Sequence, residues 1–125
     1  VTVVNYEYPL RGSFYIDTAI NTLYLFNADR VISVCRDNAN FYQHDGGGLK
    51  PFNSNKALKL EREFVYREVG GIHTMKIADI INDKNIMDGK STHILMDGRS
   101  SRNVTDEDEF THLEYLYNQR KDVLF

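Results

Sequence analysis

This sequence gives little support to a disulfide, a membrane span or a secretory signal. Cys35 is the single cysteine, which excludes an internal disulfide. No purely apolar run approaches the roughly 20 residues that span a bilayer. Residues 1–8 have neither the charged segment nor the long apolar stretch of a secretory signal. These features predict a protein of the reducing cytoplasm that does not enter a membrane.

The usual motifs of catalytic and metal sites are also lacking. The sequence has no nucleophile elbow, no signature of a catalytic Cys–His pair and no paired-metal motif. The pair His44-Asp45 offers at most two adjacent ligands, which is too few for a metal site. The other histidines stand singly, at His73, His93 and His112. Because an isolated imidazole is more often structural, we expect a protein that is not an enzyme and that holds no metal or cofactor.

Positively charged residues are slightly fewer than negatively charged ones. The 125 residues include 15 Lys and Arg against 18 Asp and Glu, which gives a net charge of −3. Long DNA or RNA is therefore an unfavourable partner, because its binding depends on neutralising many phosphates. A small nucleotide that needs only two arginines is not disfavoured. A chain of this length is expected to form one domain over residues 1–125, burying roughly two-thirds of its unfolded surface.

The first third of the chain is rich in β-branched and aromatic residues. This composition predicts strands over residues 1–8, 13–17, 21–26 and 30–35. Strands at this spacing favour an antiparallel meander. A helix over residues 16–26 is the alternative, because four apolar residues partly fit a helical stripe: Ile16, Ile20, Leu23 and Leu25.

The middle of the chain is harder to assign. Residues 37–48 are a break rich in Asn, Asp and Gly, and glycines 46–48 lack the spacing of a phosphate-binding loop, so we interpret them as a flexible connection. A loop with Pro51 follows. Residues 56–69 fit both a strand and a helix: the alternation of apolar residues favours a strand, whereas the many helix-forming residues favour a helix. We give the helix a slight preference.

The second half contains clearer signals. Thr74 is expected to cap a helix over residues 75–83, and the apolar strand 92–96 should stop at the Asp97-Gly98 turn. Thr105 then caps a final helix whose first turn is acidic. The order of elements predicts an α+β fold, with an N-terminal antiparallel β meander and helices in the C-terminal half.

The final helix carries one apolar stripe. It consists of Phe110, Leu113, Leu116, Tyr117 and Leu124, at spacings of three, four and seven. The stripe continues to an apolar chain end at residues 123–125. A stripe of this kind needs a partner surface, either the protein's own sheet or a second copy. We predict a dimer or a larger even-numbered homo-oligomer through this helix.

The loop between the last strand and the last helix has the chemistry of a ligand site. It presents two guanidinium groups, two hydroxyls and an amide, from Arg99, Ser100, Ser101, Arg102 and Asn103. Guanidinium groups suit bidentate contacts to phosphate, and the loop has no apolar residue that would bury them. The alternative is a solvated loop whose arginines pair with the acidic residues 106–109.

Aromatic residues near the N-terminus could stack on a base. The candidates are Tyr6, Tyr8, Phe14 and Tyr15, and we take Phe14 as the representative one. With the loop, they predict a small nucleotide as the ligand, held by phosphate contacts and by stacking. Most aromatics at alternating positions belong to the core, so one or two of these four would remain for a ligand.

The layout as a whole resembles the phage-encoded Thoeris anti-defence (Tad) sponge proteins. The shared features are a small chain, a β-rich first half, a helical second half, no catalytic set and the arginine-bearing loop of Arg99 and Arg102. The resemblance implies a non-catalytic, cytoplasmic homo-oligomer that sequesters a cyclic ADP-ribose isomer or a cyclic oligonucleotide and so counteracts host antiviral defence.

A second hypothesis belongs to a different class. The acidic residues 106–109 would place negative charge at one helix start, where it could attract a basic surface. In this interpretation the chain is a small acidic protein inhibitor that occupies a basic site on a host protein.

Overall fold

The computed structural model describes residues 1–52, 65–82 and 89–119. Its elements, in chain order, are β1 (Thr2–Val4), α1 (Phe14–Leu25), β2 (Arg30–Asp37), β3 (Tyr42–His44), β4 (Leu49–Pro51), β5 (Val65–Met75), α2 (Ile77–Ile81), β6 (Ser91–Leu95) and α3 (Glu107–Gln119). The chain divides into two compact units. The larger contains residues 1–35 and 68–125, and the smaller contains residues 36–67.

A mixed four-stranded sheet has the strand order β1-β5-β2-β6. β1 is antiparallel to β5, with Thr2 opposite Thr74, whereas β2 and β6 run parallel, with Ile32 opposite His93. The sheet and the three helices confirm the α+β class. The sheet is mixed rather than an antiparallel meander throughout: β1 and β5 are antiparallel, but β5 separates β1 from β2, and the parallel β2 and β6 need a long crossover.

Helix α1 replaces the two strands predicted over residues 13–17 and 21–26, and the alternative, a helix, is correct. Tyr15, Ala19 and Leu23 are its buried residues, spaced four apart as on one helical face. Burial of this face outweighs the strand preference of the threonine and aromatic residues. Helices therefore occur in both halves of the chain, while α3 lies in the C-terminal half as predicted.

The core of the larger unit lies between α1 and the sheet. Its buried cluster comprises Tyr15, Ala19, Leu23, Ala28, Val31, Val69, Ile72, Ile94 and Met96. Tyr8, Ile16 and Cys35 pack against this cluster and are partly buried. Contributions from α1 and from β2, β5 and β6 mean that this core forms only when distant parts of the chain meet.

Strand β5 contains two glycines, Gly70 and Gly71, with φ of +76° and +57°. The positive φ values interrupt the regular strand as in a bulge. Ser33, which is fully buried, fastens this point: its hydroxyl accepts the Ile72 N–H at 3.0 Å and donates to the Val69 carbonyl. The helix preferred over residues 56–69 is wrong for residues 65–69, which belong to β5, and residues 53–64 lie outside the described residues.

The helix predicted over residues 75–83 is present as the shorter α2, but Thr74 does not cap it. Thr74 belongs to β5, and its hydroxyl forms a 2.9 Å hydrogen bond with the hydroxyl of Thr2 on β1. The residue that precedes α2 is Lys76, which makes no side-chain cap. Cross-strand pairing therefore uses the hydroxyl that the sequence pattern assigned to a cap.

Helix α3 begins one residue later than expected. The cap is Asp106, not Thr105: its Oδ1 accepts the backbone N–H of Glu109 at 2.8 Å. Leu113 is buried, whereas Phe110 remains 54% exposed. Leu124 of the predicted stripe lies outside the described residues.

The smaller unit contains the hairpin of β3 and β4, in which His44 pairs with Leu49. The glycines 46–48, expected to be a flexible connection, form its turn. Asp45 organises this turn, because its N–H donates to the Gly48 carbonyl at 3.2 Å and its Oδ1 accepts the Gly47 N–H at 3.0 Å. The pKa of the Asp45 carboxyl is lowered, first by the Lys50 ammonium 2.6 Å away and then by the Gly47 N–H. The loop expected after residue 48 includes β4.

Candidate functional site

The loop that follows β6 is built around Asp97. One carboxylate oxygen accepts the N–H of Ser100 at 2.8 Å, and the other accepts the Ser100 hydroxyl at 3.1 Å. That second oxygen also accepts the hydroxyl of Tyr15 at 2.7 Å. The predicted Asp97-Gly98 turn is thus present, and Tyr15 attaches it to α1.

Tyr15 and Asp97 have displaced pKa values. Burial raises the pKa of Tyr15 above its ordinary value, and the hydrogen bond to Asp97 adds to this effect. Burial opposes ionisation of Asp97, but hydrogen bonds from the Ser100 N–H, the Tyr15 hydroxyl and the Ser100 hydroxyl outweigh it and lower its pKa. At neutral pH the proton therefore stays on the tyrosine and the carboxylate is ionised. The three residues satisfy one another, as a structural network does.

Arg99 is bound to α3 rather than to solvent. One Nη2 hydrogen bond goes to the backbone carbonyl of Leu116. Its Nε is buried and has no hydrogen-bond partner in the structure as described. The guanidinium of Arg99 therefore ties the loop to the helix, and one of the two arginines predicted to bind phosphate has a structural contact.

The other predicted site residues occupy different environments. Ser100 is 6% exposed, and the hydroxyl of Ser101 donates to the Gly98 carbonyl at 3.2 Å. Arg102 is exposed, and its side chain makes no hydrogen bond or ion pair with any described residue, whereas Asn103 is half-buried. Phe14 opens α1, is 58% exposed and lies against the ring of Tyr15, with 4.1 Å between ring centroids. Of the predicted loop, Arg102 and Asn103 are thus the adjacent pair left without an assigned contact.

A cavity of about 510 Å³ lies between residues 6–10 and α3. Val104, the residue after Asn103, forms part of its wall, and the Val104 N–H donates to the Glu7 carbonyl at 2.9 Å. The lining residues are Tyr6, Glu7, Pro9, Leu10, Val104, Phe110, Leu113, Glu114 and Tyr117. We call this the Tyr6–Phe110 cavity. Its volume lies within the range of small-molecule sites, about 300–1,000 Å³.

The Tyr6–Phe110 cavity combines aromatic rings with carboxylates. Tyr6 is 91% exposed and Phe110 54% exposed, and Tyr117 supplies a third ring. The charged groups in its described lining are the carboxylates of Glu7 and Glu114. The sequence identified Tyr6 as a possible stacking residue but assigned Phe110 and Tyr117 to a packing stripe. No local signal could have joined them, because the two walls come from opposite ends of the chain.

A second cavity, of about 710 Å³, lies between α1, β1 and the segment that enters α2. Its walls are mainly apolar and include Ile16, Ile20, Leu23 and Ile77. Lys76 is the lining residue with a charged side chain among those described, and its ammonium donates to the Asn27 side chain at 3.2 Å. The Tyr6–Phe110 cavity has more of the polar groups that orient a ligand, and it adjoins the predicted loop.

Within the described ranges, 1–52, 65–82 and 89–119, no three His, Cys, Asp or Glu side chains are grouped as metal ligands, and no helix is long and apolar enough to cross a bilayer. Comparison of the sequence with protein-family models and with curated proteins gives no match.

Proposed function

We propose that this chain binds a small phosphorylated nucleoside in the Tyr6–Phe110 cavity and holds it chemically unchanged. The observation that carries the proposal is the position of three aromatic rings beside the loop of Arg102 and Asn103. Aromatic surface suits a nucleobase, and a guanidinium suits a phosphate. The aromatic rings can thus bind the nucleobase and Arg102 the phosphate, because the loop that carries Arg102 continues into the cavity wall at Val104.

Stacking on the aromatic rings would supply the binding of the base. Tyr6 and Phe110 expose 91% and 54% of their surfaces, so each has a ring face available without disturbing the core. A base stacked on one aromatic ring gains about 1–3 kcal/mol. Tyr6 therefore takes the stacking role for which Phe14 was the representative candidate, because Phe14 does not line this cavity.

The carboxylates of Glu7 and Glu114 favour one orientation of the ligand. They can accept hydrogen bonds from ribose hydroxyls or from an exocyclic amino group, but they repel phosphate. Asn5 holds Glu7 in place through two contacts: its Nδ2 donates to Oε2 at 3.3 Å, and its Oδ1 accepts the Glu7 N–H at 3.0 Å. The base and sugar would therefore occupy the cavity, and the phosphate would lie toward Arg102.

A role in binding rather than catalysis has structural support among the described residues. Tyr15 and Asp97, whose pKa values are displaced, are hydrogen-bonded to each other and to Ser100, and none of the three lines the cavity. Sequestration of a cyclic ADP-ribose isomer or a cyclic oligonucleotide, with relief of host defence, is the specific form of the proposal that the resemblance to the sponge proteins implies.

Calorimetry against nucleoside phosphates, cyclic ADP-ribose isomers and cyclic oligonucleotides tests the proposal. We expect Tyr6→Ala and Phe110→Ala each to weaken binding about tenfold, the loss of one stacking contact. Tyr24→Ala is the matched control, because Tyr24 is a tyrosine on α1 that is 75% exposed but does not line the cavity. Absence of binding below high micromolar concentration, or recovery of an altered ligand, would contradict the proposal.

Assembly is a separate part of the proposal. The exposed side chains of Phe110 and Tyr115 on α3 support a homo-oligomer through this helix. Light scattering at micromolar protein concentration measures the mass of the particle directly, and the mass of a monomer would refute the homo-oligomer. The alternative function, a protein inhibitor that uses residues 106–109, has less support because the Asp106 carboxylate already caps α3. Capture of a protein partner that is lost on Glu107→Lys would favour the inhibitor instead.

A further inference from the structure

Three of the five N–H donors of the Arg11 guanidinium have no partner among the described residues. Its Nη1 donates to the backbone carbonyl of Asn5 at 2.9 Å and also to the backbone carbonyl of Gly70. Its Nε and Nη2 make no hydrogen bond or ion pair within the described part of the chain. Neither atom is among the buried side-chain atoms that lack a hydrogen-bond partner, so Nε and Nη2 each keep some solvent exposure.

The two carbonyl contacts hold Arg11 in a defined position. Asn5 follows β1 and Gly70 lies on β5, and the two strands are tied there by the Asn5 N–H, which donates to the Gly71 carbonyl at 2.8 Å. A guanidinium is planar, so fixing Nη1 on two carbonyls also limits where Nε and Nη2 point. The remaining edge is therefore pre-organised for a bidentate acceptor.

Arg11 is also joined to the Tyr6–Phe110 cavity by short links. Leu10, its neighbour in sequence, lines the cavity. Asn5, whose carbonyl it binds, precedes the lining residue Tyr6 and holds the carboxylate of the lining residue Glu7. Partial burial lowers the pKa of Arg11, with Tyr8 opposing this effect, but an arginine stays protonated at neutral pH. A partly desolvated cation thus lies next to the wall of the cavity.

We propose that Arg11 is a further ligand-binding residue, which takes a phosphoryl group through its Nε and Nη2. The inference rests on the proposed function, because it assigns the second guanidinium of the same site. In Arg99 the same edge is not open to a ligand, because Nη2 donates to the Leu116 carbonyl and Nε is buried. With Arg11 and Arg102 as the two cations, the ligand class is a nucleotide with two phosphoryl groups, bound more tightly than the matching monophosphate or nucleoside.

Two variants of Arg11 test this assignment. Arg11→Lys keeps the charge and a donor for the two carbonyls but loses the bidentate edge, and Arg11→Gln loses the charge as well. We expect pyrophosphate binding, measured by calorimetry at low ionic strength, to fall about tenfold or more in Arg11→Gln and less in Arg11→Lys. The preference for a nucleoside diphosphate over its nucleoside should fall by the same factor. Lys76→Gln, which removes one charge at the other cavity, should change neither.

The outcomes separate this assignment from the proposed function. Unchanged pyrophosphate binding and unchanged diphosphate preference in both variants overturn the role of Arg11 and leave it as a bridge between strands, while nucleoside binding in the cavity would stand. Loss of pyrophosphate binding in a protein that binds no nucleoside supports Arg11 and removes the cavity proposal. Thermal melting verifies that each variant folds, and if Arg11→Gln does not fold, Arg11→Lys alone decides.

Discussion

Gly71→Ala is expected to lower the free energy of unfolding by about 3–4 kcal/mol, from a strained backbone and an overpacked contact together. The added Cβ would lie 2.4 Å from the Cβ of Asn5 and 3.3 Å from its Cα and N. A rotamer change cannot move these atoms, so β1 and β5 must separate and stretch the hydrogen bond from the Asn5 N–H to the Gly71 carbonyl. A φ of +57° adds the cost that any L side chain meets there.

Two other glycines provide the comparison, with unfolding followed in urea. At Gly70 the added Cβ would lie 2.0 Å from the sulfur of Met96, and because that side chain can rotate, Gly70→Ala should cost somewhat less, about 2–3 kcal/mol. At Gly98 nothing lies within 4 Å and φ is ordinary, so Gly98→Ala should stay within about 0.5 kcal/mol of the wild type. A Gly71→Ala protein as stable as Gly98→Ala would contradict the described junction of β1 with β5.

Asp97→Ala is expected to cost about 2–3 kcal/mol, because it removes one acceptor from several donors at once. The hydroxyl of Tyr15, a residue only 6% exposed, and both donors of Ser100 lose their partner. Tyr15→Phe removes one of these bonds and keeps the ring in the core, so it should cost about 1 kcal/mol. Denaturant unfolding of the two variants gives this order, and equal losses would show that the network is not shared.

The same network predicts how stability depends on pH. The pKa of Asp97 in the folded protein lies below its ordinary 3.8, so its contribution is complete above that value and is lost as the pH falls through the folded pKa. The pKa of Tyr15 lies above its ordinary 10.0, so its contribution is complete below 10.0 and is lost as the pH rises further. The free energy of unfolding, measured against pH, should change less than in the wild type at acidic pH for Asp97→Asn and at basic pH for Tyr15→Phe.

Local signals gave correct predictions where a few neighbouring residues determine the conformation. The Asp97-Gly98 turn and the acidic start of α3 depend on contacts within about four residues, and both are present. The cap differs by a single position, because Asp106 and Thr105 are both good capping residues and only the helix's packing decides between them. The α+β class was also predicted correctly, although α1 replaces two of the strands in the predicted order.

Residues 13–26 show why a local pattern was not enough. Their apolar positions fit an alternating strand and a helical stripe, and burial of Tyr15, Ala19 and Leu23 against distant strands selects the helix. Strand order depends on tertiary structure in the same way. Nothing near β1 or β2 in sequence indicates that β5 lies between them.

The candidate site also combines features set by local sequence with features set by tertiary structure. The sequence by itself determined that residues 99–103 form a polar loop after a turn, because composition and the Asp-Gly pair are local properties. Only the tertiary structure decided that Arg99 binds α3, that Ser100 is buried on Asp97, and that residues 6–10 meet α3 around a cavity. The physical reason is that a side chain's partner, and a cavity's opposite wall, come from residues far apart in the chain, whose approach is determined by burial of the whole core.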